Sequence, residues 1–186
     1  YTIHPDFEHK IPKNKTKVER AIIYADLSLK HLFNNIKQNG HFQNTIFIIT
    51  ADHTSEEIKD PNEAYSIPLI IYSHKQTYKG ISYQITQQID IKPLILNMIN
   101  YNKHYYSLGN NPLDSNSDAF AVYYSNENYN FIFQNRHYLF NNETIKTTKN
   151  KQDKNINIIK AFLQTYSNDL IKNRMNTIRF TSRQRK

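Results

Sequence analysis

The stretch Asn44-Thr45-Ile46-Phe47-Ile48-Ile49-Thr50-Ala51-Asp52-His53-Thr54-Ser55 decides the reading of this chain. Residues 45–50 form an unbroken apolar, β-branched run, the pattern of a strand buried on both faces of a parallel sheet. A carboxylate and an imidazole follow at once. In open α/β sheets ligands bind beyond the carboxyl ends of the strands, so Asp52 and His53 are expected at a functional rim. An oxygen ligand beside a neutral nitrogen ligand suits a borderline divalent ion such as Mn²⁺ or Zn²⁺. Spacing alone leaves the plainer alternative open, with Asp52 capping a turn and His53 exposed.

The flanks fit an α/β chain. Upstream, Val18, Ile22, Ala25, Leu29, Leu32 and Ile36 recur at three- and four-residue steps, predicting an amphipathic helix over 16–38 that Gly40 ends. Residues 1–12 read as a strand end running into a loop. Residues 67–72 form a second strand, with Pro68 near its start. Asp90 is placed to cap a helix whose first turn holds Pro93. Residues 119–124, 130–134 and 137–140 read as a short antiparallel meander. Residues 144–154 read as a polar loop, and 156–175 as a final amphipathic helix.

Helix, buried strand, buried strand, helix and meander predict an α/β layered fold. It divides into 1–112, carrying the helix and strands around Asp52, and 113–186, the meander and terminal helix packed on the same domain. A parallel sheet covered by helices needs more strands than these residues supply, so further chain is expected upstream.

Composition narrows the chemistry. The chain has 186 residues with 38% hydrophobic content, 14 Tyr and 10 Phe, enough for an aromatic-rich core. It has no cysteine, which excludes disulfides, thiolate metal sites and cysteine nucleophiles within it. With Gly40, Gly80 and Gly109 as its three glycines, it holds no phosphate-cradling Gly-rich loop. No apolar run approaches the roughly 18 residues that cross a bilayer. The net charge of +8 raises nucleic acid as a partner. Its concentration at Lys13, Lys15 and Lys17 and from Arg174 to Lys186 suits solvated ends better, and no nucleic acid is expected.

The string from Asn44 to Thr54 resembles the second metal motif of the sulfatase and lipoteichoic acid synthase branch of the alkaline phosphatase superfamily. There a strand reading NT-F-VITADH delivers an Asp-His pair to the metal. The likeness continues in order. Thr2, His4, Pro5 and Phe7 resemble the family's S-x-H-x-P-F segment, although His-Pro-Asp-Phe here departs from its spacing. Tyr24-Ala25-Asp26 and Leu29 resemble the helix before the metal strand. Tyr65 to Tyr72 resembles the returning strand. Gln88 to Pro93 resembles the Q-D-x-P-T helix start, and Tyr106 to Asn110 the turn that follows.

The resemblance implies that Asp52 and His53 ligate a divalent metal, Mn²⁺ first, with Zn²⁺, Mg²⁺ or Ca²⁺ as options. It implies that His4 contacts a phosphate- or sulfate-ester substrate, which could be a phospholipid headgroup. Glu56 and Glu57 are candidates to support the ligands from behind. The other six histidines match no functional position, and Asp26 is expected to make a structural hydrogen bond. The family's nucleophile, a threonine in the lipoteichoic acid synthases, lies upstream of everything matched. These residues alone are therefore expected to be inactive. Phosphoglycerol transfer at the extracytoplasmic face of the membrane is the implied activity and place. A basic nucleic-acid-binding module and a catalytically degenerate paralogue are the alternatives.

Overall fold

The computed structural model describes residues 2–55, 58, 60, 63–75, 79–134, 136–141, 144–147 and 153–175. They divide into two compact units, 1–81 and 82–186.

The first unit opens with a one-turn helix α1 (Pro5–Glu8) where the sequence suggested a strand end. Pro5 presets the helical φ at N1, and the His4 ring accepts from the Asp6 N–H as its cap. Helix α2 (Lys17–Gln38) begins at a capping box. The Glu19 N–H donates to the Thr16 hydroxyl, and the Thr16 N–H donates to the Glu19 carboxylate. Gly40, at φ +72°, takes the left-handed turn that stops it. Strand β1 (Ile46–Thr50) follows, then β2 (Leu69–Ser73).

These two strands pair antiparallel, Ile46 opposite Ser73 and Thr50 opposite Leu69. This corrects the parallel, doubly covered strand that the apolar run suggested. A parallel partner needs a crossover, usually a helix, and no helix stands between β1 and β2 among the described residues. The interior residues of β1 are only half-buried, and Ile70 and Tyr72 on β2 are exposed. The packing of this unit is aromatic: buried Phe42, half-buried Phe33 and Phe47 and the more exposed Tyr72 lie with ring centroids 4.6–6.1 Å apart. One helix on a two-stranded ribbon cannot cover the whole apolar stripe of α2, and Ile22 and Leu32 stay exposed.

The second unit holds helix α3 (Ile91–Met98), strands β3 (Ala121–Ser125), β4 (Asn128–Phe133), β5 (Arg136–Asn141) and β6 (Thr144–Thr147), and helix α4 (Lys154–Ile171). The strands form an antiparallel meander in chain order. Asn126 and Glu127 turn the first hairpin with φ of 48° and 60°, the two left-handed residues that a two-residue loop requires. Strand β6 replaces the loop expected over 144–154, its Ile145 paired opposite Phe140. The core gathers Phe120, Phe131, Phe133 and Tyr138 from the sheet with Ile159 and Leu163 from α4. The domain is thus mixed α/β with small antiparallel sheets and a C-terminal helix.

Asp90 acts as a clasp. It is 3% exposed; Oδ2 accepts from the Gln87 N–H at 2.9 Å and Oδ1 from the Asn110 N–H at 2.7 Å. Burial pushes its carboxyl above the ordinary value, against the pull of those two donors. It caps the short 3₁₀ turn Gln88–Asp90 and not α3 itself. The neighbouring Gly109 has no room for a side chain, since a Cβ there would lie 2.2 Å from the Ile89 carbonyl oxygen.

Two stability outcomes follow. Asp90→Ala strands two N–H donors and should cost about 2–4 kcal/mol in urea unfolding, with Gly109→Ala costing about 1–3 kcal/mol. Little change in either would show that the clasp is not structural. Asp153, the α4 N-cap, is held below its ordinary 3.8 first by the Tyr138 hydroxyl, then by the Asn155 N–H and Arg136. Its contribution is therefore complete above pH 3.8 and lost as pH falls through the lower folded value. The melting-temperature gap between wild type and Asp153→Asn should narrow below pH 3.8; a constant gap would contradict the role of the ionised Asp153 cap.

Candidate metal and substrate residues

Strand β1 ends at Thr50, and Asp52 and His53 leave its carboxyl end in an exposed bend. Backbone groups orient both. Asp52 Oδ1 accepts the His53 N–H at 3.0 Å, leaving Oδ2 3.5 Å from His53 Nε2. His53 Nδ1 lies 2.7 Å from the Thr54 carbonyl oxygen. A carbonyl can only accept, so Nδ1 carries the proton and the lone pair of the neutral ring sits at Nε2. Thr54 is held in turn, its hydroxyl donating to the Ala64 carbonyl.

The side chains of His53 and Asp52 are 75% and 87% exposed, so an ion pair here adds only about 0–1 kcal/mol of stability. Stability does not account for the arrangement. As a donor set, a carboxylate oxygen and an Nε2 lone pair fixed through Nδ1–H to a backbone carbonyl fit a divalent metal. They are half of what it needs. Among the described residues no group of three His, Asp or Glu side chains gathers to hold one.

His4 is set the opposite way. Its Nδ1 accepts the Asp6 N–H at 3.3 Å and lies 3.5 Å from Asp6 Oδ2. The neutral ring then carries its proton on Nε2, a donor for an oxygen outside the helix. The structure thus brings Asp52 and His53 together, while His4 pairs with Asp6. Asp26 does not make the expected hydrogen bond; it is exposed on α2. Glu56, Glu57 and the basic tail from Arg179 to Lys186 lie outside the described residues. No sequence signal marks Thr54 as the residue that sets the His53 proton, because it acts through its backbone oxygen.

Residues 10–101 match the family model for sulfatases. The matched segment contains Asp52 and His53; His4 precedes it. Over 95% of its length the chain also superposes on a protein in the alkaline phosphatase superfamily from Vibrio parahaemolyticus, with a TM-score of 0.70 and 19% identity. At that identity the likeness establishes the fold. The chain covers 49% of that protein, so it spans about half the length of the structure it matches.

The two histidine tautomers can be checked by ¹⁵N NMR of histidine-labelled chain above pH 8. His53 should show the Nδ1–H pattern and His4 the Nε2–H pattern. The same tautomer at both positions would remove the chemical distinction between them.

Proposed function

We propose that this chain works as part of a metal-dependent enzyme that transfers or hydrolyses phosphate esters, with sulfate esters the lesser option. The sulfatase match and the alkaline phosphatase superfamily fold support an enzyme of ester chemistry that uses divalent ions. The observation that carries the reading is the opposed tautomers: an Nε2 lone pair beside a carboxylate at the end of β1, and an Nε2–H on His4.

Asp52 and His53 hold the ion, Mn²⁺ first. His4 donates Nε2–H to an oxygen of the ester and orients it. A divalent ion bound there would supply positive charge to offset that of the anionic ester. The nucleophile, a threonine by the resemblance, and further ligands come from other residues of the protein. Residues 1–112 form the catalytic part, and 113–186 complete the same domain. The finer reading is phosphoglycerol transfer of the lipoteichoic acid synthase kind, drawing on a phospholipid headgroup at the extracytoplasmic face of the membrane.

The test compares these 186 residues with the full-length protein on p-nitrophenyl phosphate, p-nitrophenyl sulfate and phosphatidylglycerol vesicles. The isolated chain should be inert, for a positioned ion does not replace a nucleophile. In full-length protein, Asp52→Ala and His53→Ala should abolish turnover and weaken Mn²⁺ binding. His4→Ala should keep Mn²⁺ binding and lower turnover by about 10²-fold or more. Full activity in the Asp52→Ala, His53→Ala double variant ends the reading. Turnover of the nitrophenyl ester with none of the phospholipid would keep the ester chemistry and discard phosphoglycerol transfer.

A further inference from the structure

A cleft in the first unit lies on side chains that the proposed chemistry does not use. This cleft of about 280 Å³ between α1 and α2 is lined by Phe7, Lys10, Leu27, Lys30, His31 and Asn34. The four residues from α2 follow the i, i+3, i+4, i+7 spacing that puts them on one helix face. Phe7 arranges the rest. Its ring meets His31 edge-on at 6.1 Å and Tyr24 at 5.4 Å, and Lys10 Nζ stands 5.3 Å from its centroid.

The charge of this cleft is one-sided. Its lining contains Lys10, Lys30 and His31 and no carboxylate. Of the acids of α1, Glu8 pairs with Arg20, and Asp6 stands beside the His4 ring; neither lines the cleft. Asp26, one turn before Lys30, forms no ion pair with it among the described residues. His31 Nε2 lies 3.1 Å from the Asn35 amide nitrogen, a donor, which leaves the ring proton on Nδ1. Two ammonium groups and an amide side chain therefore surround an apolar floor of Phe7 and Leu27. That combination wants a ligand with an acidic oxyanion head and a small apolar body. The volume falls at the lower limit of small-molecule pockets, so the ligand is small.

We propose that this cleft binds the phosphate or sulfate head of a small ester, with Lys10 and Lys30 on the oxygens and the organic group resting on Phe7 and Leu27. Neither Asp52 nor His53 lines the cleft, and this binding does not require a metal.

The experiment is a ¹H–¹⁵N NMR titration of the chain with phenyl phosphate, inorganic phosphate and phenol. Shifts should concentrate in 7–11 and 27–34, with phenyl phosphate tighter than inorganic phosphate and phenol without effect. The Lys10→Gln, Lys30→Gln double variant should raise the Kd about tenfold or more. Lys15→Gln, whose ammonium is paired with Glu19, should leave it unchanged. Leu27→Ala should narrow the preference for phenyl phosphate. The proposal is overturned if phenyl phosphate gives no saturable shift, if the double variant binds like wild type, or if Lys15→Gln weakens binding as much, which would mean diffuse surface charge. Repeating the titration in Asp52→Ala, His53→Ala protein separates the two sites. Unchanged binding there supports the cleft whatever the fate of the proposed enzyme function, and lost binding moves the ligand to β1 and sinks the cleft.

Discussion

Five residues of β1 held against five of β2 fix where the chain leaves the sheet, and the candidate metal pair depends on that point. The register sets Thr50 opposite Leu69 as the last rung. Beyond it the backbone is free of the ladder and can turn its own amides and carbonyls onto side chains. It does so twice within three residues: the His53 N–H is given to Asp52, and the Thr54 carbonyl takes the His53 proton. A one-residue slip in the register would carry every side chain of β1 to the other face of the ribbon. The aromatic packing of Phe47 on Phe33 and Phe42 opposes such a slip, so core and site share one constraint.

The second unit solves a different problem. Its meander and α4 bury a conventional aromatic core, while Asp90 ties the start of α3 to the loop around Asn110. A buried carboxylate is costly unless donors surround it. Here two backbone N–H groups do so, and Gln87 extends the network by accepting from the Val122 N–H at 3.2 Å. The clasp thereby joins helix start, loop and first meander strand through hydrogen bonds to the backbone. Gly109 is required by the same closeness, which is a packing reason for a glycine in that turn.

Helices α2, α3 and α4 and the first three meander strands could be read in the sequence because their signals are local: three-and-four spacing in α2 and α4, proline in the first turn of α3, turn residues between strands. The one-turn helix α1, read as a strand end, was missed despite Pro5 at its start; the other failures were not local. An apolar run such as Ile46–Ile49 reports burial, not the direction of the neighbouring strand, and the antiparallel partner had to be seen. Strand β6, Thr144–Thr147, is short and polar, and it is a strand because β5 offers it a free edge. At the candidate site, residue types and order pointed to Asp52, His53 and His4 through the family likeness. The protonation of each ring could not be read, since it depends on which backbone group lies beside which nitrogen. For the same reason the cleft at Lys10 and Lys30 was hidden: the two lysines are twenty residues apart and meet only when α1 folds beside α2.

Three histidines in this unit show how little the residue type decides. His4 accepts at Nδ1 from an N–H, His53 donates at Nδ1 to a carbonyl, and His31 accepts at Nε2 from a side-chain amide. The backbone or amide partner in each case settles the tautomer, and the tautomer settles what the other nitrogen can meet. A lone pair at Nε2 can meet a metal ion or an N–H or O–H donor, while a proton on His4 Nε2 or His31 Nδ1 meets an acceptor oxygen. These three rings therefore differ in which nitrogen can accept and which can donate. A metal ion and an ester anion are complementary charges, and an enzyme acting on anionic esters through a divalent ion needs ligands of both characters. The opposed settings meet that need with one residue type, and the choice at each position is made by the hydrogen bond on the far side of the ring.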